Sequence, residues 1–340
     1  MLQQGGLRSA RLCILIIGLT GCACVPSGPA QRVERVSVGD AAFGVRSSPE
    51  DAEAARQVER VLPRAVHAAA RWGKLSVPVL VTIHPTHRDL EVAARREGHA
   101  WLRAWARYAS VDLQSPRTWS SGSASDAEMT ALLSHELTHC VMYQLAASEQ
   151  TWSRRAIPLW FREGMAGVAA GQEYGWVSPE AIRRHYLEMG SPGGGEPLAE
   201  DPLTAPGSLY RSDSDLVYAT ASRAFRFLLD RHGEEPIRRV MAGMSEGKGF
   251  GDAFWQALGV PVAEFEGDFR KHVLRRGPSA AALSEAGAPS RAPDHGILGS
   301  PPADPSASAA GSGCDQVNSM SLASSALDHV NARPVSSIGE

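Results

Sequence analysis

The feature that most constrains this chain is a histidine pair within a run of apolar residues. Residues 129–145 read MTALLSHELTHCVMYQL, in which His135 and His139 are four positions apart and Glu136 follows the first histidine. On an α-helix, positions i and i+4 lie about 40° apart around the axis, so both imidazoles can face one ion. Glu136 falls on the neighbouring stripe, where its carboxylate can reach a water beside that ion. This HExxH pattern therefore predicts a metal-binding helix.

Apolar residues occupy almost every side of this segment, which predicts that the helix is buried. Imidazoles and a carboxylate inside a protein need partners, and a zinc ion is one that would satisfy them. Metal-assisted hydrolysis uses this division of roles, with two neutral nitrogen ligands on the ion and a carboxylate beside it to take a proton. A pair of core histidines bonded to backbone groups is the alternative. Cys140 points roughly 100° away from His139, so we assign it to packing.

A catalytic zinc usually has three protein ligands, so a third is expected further along the chain. The metzincin pattern would require glycine and histidine at the positions of Met142 and Leu145, so that class is excluded. Residues 158–166 read PLWFREGMA. This segment resembles the gluzincins, in particular the peptidase-MA-like exported metallopeptidases, in which HExxH is followed on the next helix by WxxEGxA. The resemblance implies that Glu163 is the third ligand; a surface glutamate on an amphipathic helix is the alternative.

The residues around Glu163 suit a ligand role, with one departure from the family. Pro158 is a favourable helix start, and the small residues after Glu163 would let this helix approach the HExxH helix closely. Gly171 can end the helix. Many gluzincins carry an aspartate four residues after the ligand glutamate, where it orients a histidine, but this chain has Gly167 there. Each metal-bound histidine has a second ring nitrogen that faces away from the metal, and its hydrogen-bond partner is called the outer partner here. The sequence assigns no outer partner to His135 or His139.

The resemblance extends at pattern level over about residues 35–275. Tyr218 matches the family's tyrosine, which implies a phenol that donates a hydrogen bond to the tetrahedral oxyanion. A core aromatic residue at the start of a helix is the alternative for Tyr218. Tyr210, His185 and His232 are rival donors that the sequence does not exclude.

Hydrophobic patterns predict an α+β fold, with an N-terminal α/β half built on a small mixed sheet, a mostly helical second half, and the HExxH helix between them, as in zincins. Pro63 lies inside the first helical pattern, where we expect a kink or a break. The alternating residues 106–113 predict an edge strand, with substrate backbone along 107–113. The other predicted elements are a strand pair at 35–45, helices at 48–72 and 88–97, a strand at 77–83 and helices from 127 onward.

The first residues of the chain predict a targeting signal. Arg8 and Arg11 precede the apolar run LCILIIGL at residues 12–19, which is too short to span a bilayer but suits a signal-peptide core. The run ends in LTGC, which resembles the bacterial lipobox and implies that Cys22 is lipidated and becomes the mature N-terminus. We therefore expect a signal peptide at residues 1–21 and a tether at 22–34. An ordinary secretory signal is the alternative.

We expect one metallopeptidase domain at residues 35–276, followed by a disordered tail at 277–340. The tail is rich in Ala, Ser, Pro and Gly and contains no aromatic residue, so it cannot bury enough apolar surface to offset the entropy of ordering. The formal net charge of the chain is −3, which disfavours nucleic acid as a partner because such binders need a basic face.

These observations predict an exported, lipid-anchored zinc metallopeptidase, located in the periplasm or outer membrane of a bacterial cell envelope, or secreted. Its expected partners are a peptide or protein substrate and, through Cys22, the membrane. Glu136 would deprotonate a zinc-bound water and return the proton to the leaving amine. A zinc-binding lipoprotein without activity is one alternative, although it would have no use for Glu136. A cell-wall amidase or esterase using the same residues is the other.

Overall fold

The computed structural model describes residues 31–172, 174, 177–190 and 200–275. The predicted signal peptide, most of the tether with Cys22, and the predicted tail lie outside the described residues. Within the described part of the chain, no helix combines the length and the apolar character that crossing a membrane requires.

A five-stranded mixed sheet forms the first part of the fold. Its spatial order is β1-β2-β3-β5-β4. The first two strands form an antiparallel hairpin, β3 is parallel to both β2 and β5, and β4 is antiparallel to β5. The turn of the hairpin contains Gly39, whose φ of 56° suits a residue without a Cβ. The strands are β1 (Arg32–Val38), β2 (Ala41–Ser47), β3 (Val79–His84), β4 (Ala104–Ala106) and β5 (Ser110–Gln114).

The described chain also contains α-helices, most of them after the last strand. Helix α1 packs against α3, and α4 packs against α3 and α7. The helices are α1 (Ala52–Ala69), α2 (His87–Ala94), α3 (Asp126–Ala146), α4 (Leu159–Ala169), α5 (Pro179–Met189), α6 (Leu209–Ser212), α7 (Ser214–His232), α8 (Glu234–Ser245), α9 (Phe250–Leu258) and α10 (Val262–Arg275).

Helix α3 lies between two apolar clusters, which explains why it is apolar on almost every side. Met129, Leu133 and Leu137 pack in the cluster formed with the sheet and α1. Met142 and Ala146 pack in the cluster formed by the helical half. The predicted α+β class, with this helix between the α/β half and the helical half, is confirmed.

Of the kink or break predicted at Pro63, the break is wrong, because α1 runs as one helix through this proline. Val58, Leu62 and Ala65 form a buried stripe on both sides of it, whereas Pro63 itself is exposed. The hydrogen bond that a proline cannot donate is therefore lost on the solvent side, where water can satisfy the free carbonyl group. Burial of the opposite face keeps the helix continuous.

The prediction of one edge strand at 106–113 is also wrong. These residues form the end of β4, a turn and most of β5, and β5 lies inside the sheet between β3 and β4. Asp112 gave the segment an alternating, half-polar pattern, yet its side chain is buried. It accepts a hydrogen bond from His84 Nε2 at 2.8 Å and pairs with Arg107. The short strand β4 is the edge instead.

Candidate metal centre

Helix α3 presents both histidines of the HExxH pattern from one face. A capping box starts the helix, in which the Ser125 hydroxyl accepts from the Glu128 backbone N–H and the Glu128 carboxylate accepts from the Ser125 N–H. One turn separates His135 from His139, and their Nε2 atoms lie 3.2 Å apart. Both rings are buried, with 4% and 6% of their surface exposed.

Helix α4 brings the Glu163 carboxylate to the same point. Its Oε2 atom lies 3.3 Å from His135 Nε2 and 3.4 Å from His139 Nε2. Ligands about 2.0–2.1 Å from a tetrahedral zinc are separated by about 3.3 Å, which is the spacing of these three atoms. Among the described residues, His135, His139 and Glu163 form a group of three potential ligands close enough together to hold one metal ion. The donor set of two nitrogens and one oxygen therefore fits a metal, and it leaves the fourth tetrahedral position free for another ligand.

Charges within the group are complementary. Burial on its own would raise the pKa of Glu163, but the neighbouring His139 and His135 hold that pKa well below its usual range. Burial would likewise lower the pKa of His135, but the hydrogen bond to Glu163 and the charge of Glu136 raise it. The carboxylate is thus kept ionised at the point where three ligand atoms converge, as a cation site requires.

Glu136 lies beside this group without joining it. Its side chain is 7% exposed, and burial raises the pKa of its carboxyl group. The nearby backbone of Ala106, the last residue of β4, favours the charged form and partly offsets this effect of burial on the pKa. Glu136 is therefore a buried carboxyl group next to both histidines and near the strand β4.

The two glycines of α4, Gly164 and Gly167, face neighbours other than α3, although α4 also packs against α3. A Cβ atom at Gly164 would lie 2.7 Å from the Ala221 carbonyl oxygen and would overlap Phe225, both on α7. At Gly167 a Cβ atom would meet Tyr174 rather than α3, at 3.3 Å. Close packing of α4 on α7 at Gly164 therefore helps to position Glu163, the residue before it.

We expect Gly164→Ala to lower the free energy of unfolding by about 1–3 kcal/mol, because the added methyl group overpacks the contact between α4 and α7. Gly251→Ala is the matched control, since Gly251 is a helical glycine with no atom within 4 Å of an added Cβ. Alanine is the better helix former, so the control is expected to be neutral or stabilising. Denaturant unfolding of both variants measures the difference, and equal stabilities would contradict the packing argument.

Tyr218 and its rival Tyr210 lie together. Tyr218 is on α7 and is 5% exposed, and its hydroxyl lies 3.0 Å from the hydroxyl of Tyr210. The Tyr218 ring also stacks on Tyr174, with centroids 5.9 Å apart. The other two rivals have different surroundings: His185 Nε2 donates to the Glu200 carbonyl at 2.7 Å, and His232 is the last residue of α7. Of the four candidate donors, the structure therefore brings Tyr218 and Tyr210 into contact with each other.

Gln172 is a residue of this site that the sequence analysis missed. Its Oε1 atom lies 2.9 Å from His135 Nδ1, so it supplies the outer partner that the sequence left unassigned. Gly171, with a φ of 69°, turns the chain after α4, and the Gln172 N–H donates to the Gly167 carbonyl at 2.8 Å. The helix-ending glycine was visible in the sequence, but nothing distinguishes this glutamine from any polar residue after a helix.

No protein-family model matches the chain, and no curated protein does. Among solved structures, the chain is similar to aminopeptidase A of Legionella pneumophila (14% identity, 71% of this chain, 28% of that one, TM-score 0.43). It is also similar to the M1 zinc metallopeptidase of Deinococcus radiodurans (14%, 74%, 53%, 0.37) and to an aminopeptidase N family protein of Idiomarina loihiensis (13%, 75%, 49%, 0.39). The chain spans about half or less of the length of these structures.

Proposed function

We propose that this chain is a zinc metallopeptidase of gluzincin type. The observation that carries the proposal is the convergence of His135 Nε2, His139 Nε2 and Glu163 Oε2 at mutual distances of 3.2–3.4 Å, with Glu136 beside them. Two imidazoles and one carboxylate are a ligand set of hydrolytic zinc enzymes. When bound, zinc would supply a Lewis acid that polarises a carbonyl group and makes water acidic near neutral pH.

Glu136 is the general base and acid of the proposed reaction. Its carboxylate takes a proton from the attacking water and delivers it to the nitrogen of the leaving amine. The backbone of Ala106, on β4, favours the charged form of this carboxyl group, which suits a proton acceptor. Tyr218, whose hydroxyl is paired with that of Tyr210, is the proposed donor to the oxyanion.

The edge of the sheet favours an extended peptide as substrate. Among the described strands, β4 pairs only with β5, so its other side offers backbone N–H and C=O groups for pairing. A peptide can add to such an edge as a further strand, with its scissile bond next to Glu136. This is the feature that favours peptide hydrolysis over hydrolysis of a cell-wall amide or ester.

Exposure of the zinc-loaded protein to an unbiased peptide library, read out by mass spectrometry, tests the proposed activity. Cleavage that a chelator stops and zinc restores supports it. A zinc-loaded protein that leaves every peptide intact but releases fragments from purified cell walls would favour the amidase or esterase alternative. A zinc-loaded protein inactive on both would favour the non-catalytic lipoprotein.

Export and lipid anchoring in a bacterial cell envelope are part of the proposal, supported by the apolar run and the LTGC sequence that ends at Cys22. In a bacterial host given a labelled fatty acid, we expect the wild type to incorporate the label and Cys22→Ala to incorporate none. Cys24→Ala is the matched control, since Cys24 lies two residues further on, and it should keep the label. Equal labelling of wild type and Cys22→Ala would contradict the anchor.

A further inference from the structure

We infer that Gln172, oriented by Tyr174, is the residue that positions His135 as a metal ligand, in place of the side chain that Gly167 lacks. The inference rests on the proposed function, because it takes His135 to be a ligand. It concerns a part of the site that the gluzincin resemblance does not supply, since the family's aspartate at the position of Gly167 is absent.

Two donors meet at one oxygen atom of Gln172. Oε1 lies 2.9 Å from His135 Nδ1 and accepts from the Tyr174 hydroxyl at 3.0 Å. An amide oxygen only accepts hydrogen bonds, so this arrangement places a proton of His135 on Nδ1, and Nε2, which faces Glu163 and His139, is the nitrogen available to a metal once any proton on it is displaced. A flipped amide would require the opposite tautomer, whose Nε2 proton would block a metal. The Tyr174 hydroxyl donates to the same oxygen and so supports the orientation of the amide that metal binding requires.

The backbone around Gly167 and Tyr174 allows Gln172 and Tyr174 to lie beside His135. Gly167 has no side chain, and a Cβ atom there would lie 3.3 Å from Tyr174 Cε2 and 4.0 Å from Gln172 Oε1. Tyr174 has a φ of 45°, in the left-handed region that residues other than glycine rarely adopt. Its ring is fully buried and stacked on Tyr218. The two side chains thus fill the space beside His135 that a longer residue at 167 would take.

In the described part of the chain, His139 lacks a hydrogen bond like the one between His135 and Gln172. His139 Nδ1 is buried and has no hydrogen-bond partner among the described residues. Orientation of the ligand pair through outer hydrogen bonds therefore depends on the single contact between His135 and Gln172. Outer partners of metal-bound histidines are worth about tenfold to a hundredfold in metal affinity, so the loss of this one contact should be measurable.

Zinc affinity of the metal-free protein, measured by competition with a chromophoric chelator, tests the inference without relying on activity. Gln172→Leu should bind zinc about tenfold to a hundredfold more weakly. Gln172→Glu restores an acceptor and should bind at least as tightly as wild type. Tyr174→Phe removes only the orienting hydroxyl and should fall between wild type and Gln172→Leu. Gln150→Leu, at an exposed position, is the matched control and should match wild type.

Restored affinity in Gln172→Glu would separate a positioning role of Gln172 from a general packing role. Equal losses in Gln172→Leu and Gln172→Glu, or an affinity of Gln172→Leu within twofold of wild type, would overturn the inference while leaving the proposed function intact. If Gln172→Leu does not fold, Tyr174→Phe decides, and a wild-type affinity in that variant would overturn the role of the hydroxyl and with it the inference. A wild type that binds no zinc would overturn the proposed function as well.

Discussion

Glu136→Gln is expected to lower kcat for peptide hydrolysis by about a hundredfold to ten-thousandfold while zinc stays bound. Glutamine keeps the volume of the side chain and still offers an oxygen that accepts hydrogen bonds. It cannot take a proton from water. Since Glu136 lies beside the three converging ligand atoms and is not one of them, the loss should be confined to the chemical step.

Glu264→Gln is the matched control for this experiment, because Glu264 is an exposed acid on α10, outside the site. Rates and zinc content are measured on the same preparations of wild type and both variants. A rate in Glu136→Gln equal to that of wild type would remove Glu136 from the mechanism. Loss of zinc in that variant would show that Glu136 supports the metal rather than the proton transfer.

Glu163→Ala is expected to weaken zinc binding by more than about a hundredfold, since outer partners of ligands alone account for about tenfold to a hundredfold. The variant leaves His135 and His139 as a two-nitrogen site, one short of the three protein ligands of catalytic zinc. Chelator competition measures the affinity, and circular dichroism confirms that the variant folds. Glu264→Ala serves as the control and should bind as wild type does.

Glu163→Gln supports the interpretation of Glu163→Ala, because it keeps the side-chain volume and removes only the charge. We expect it to bind zinc more weakly than wild type and more tightly than Glu163→Ala. Wild-type affinity in Glu163→Ala would place the third ligand elsewhere. The assignment of α4 as the helix that completes the site would then be wrong.

The parts of the fold that could be predicted depend on local patterns. Helix α3 was predictable because the spacing of its histidines and its apolar character on almost every side are properties of one segment, and β3 was predictable from its run of β-branched residues. The meeting of Glu163 with the two histidines was implied by the resemblance to a family motif whose residues lie on two helices. Local patterns were therefore enough for α3 and β3, whereas the third ligand needed the resemblance.

The parts that could not be predicted depend on residues far apart in sequence. The segment 106–113 was predicted as an edge strand, and the burial of Asp112 against His84, 28 residues away, is not visible in that segment alone. Gly164 packs on Phe225 of α7, which no local pattern indicates. Gln172 reaches His135 across 37 residues only because α4 and the turn after it return the chain to α3. Such contacts are set by the packing of helices and strands, which a single segment does not encode.

The measurement that tests the central claim most directly is the zinc content of the purified wild-type protein after incubation with equimolar zinc and removal of the free ion. His135, His139 and Glu163 form one site, so the account predicts about one zinc per chain, and Glu163→Ala should retain far less under the same conditions. A wild-type chain that stays free of zinc, or one that holds as much zinc with Glu163 replaced as without, would contradict the account.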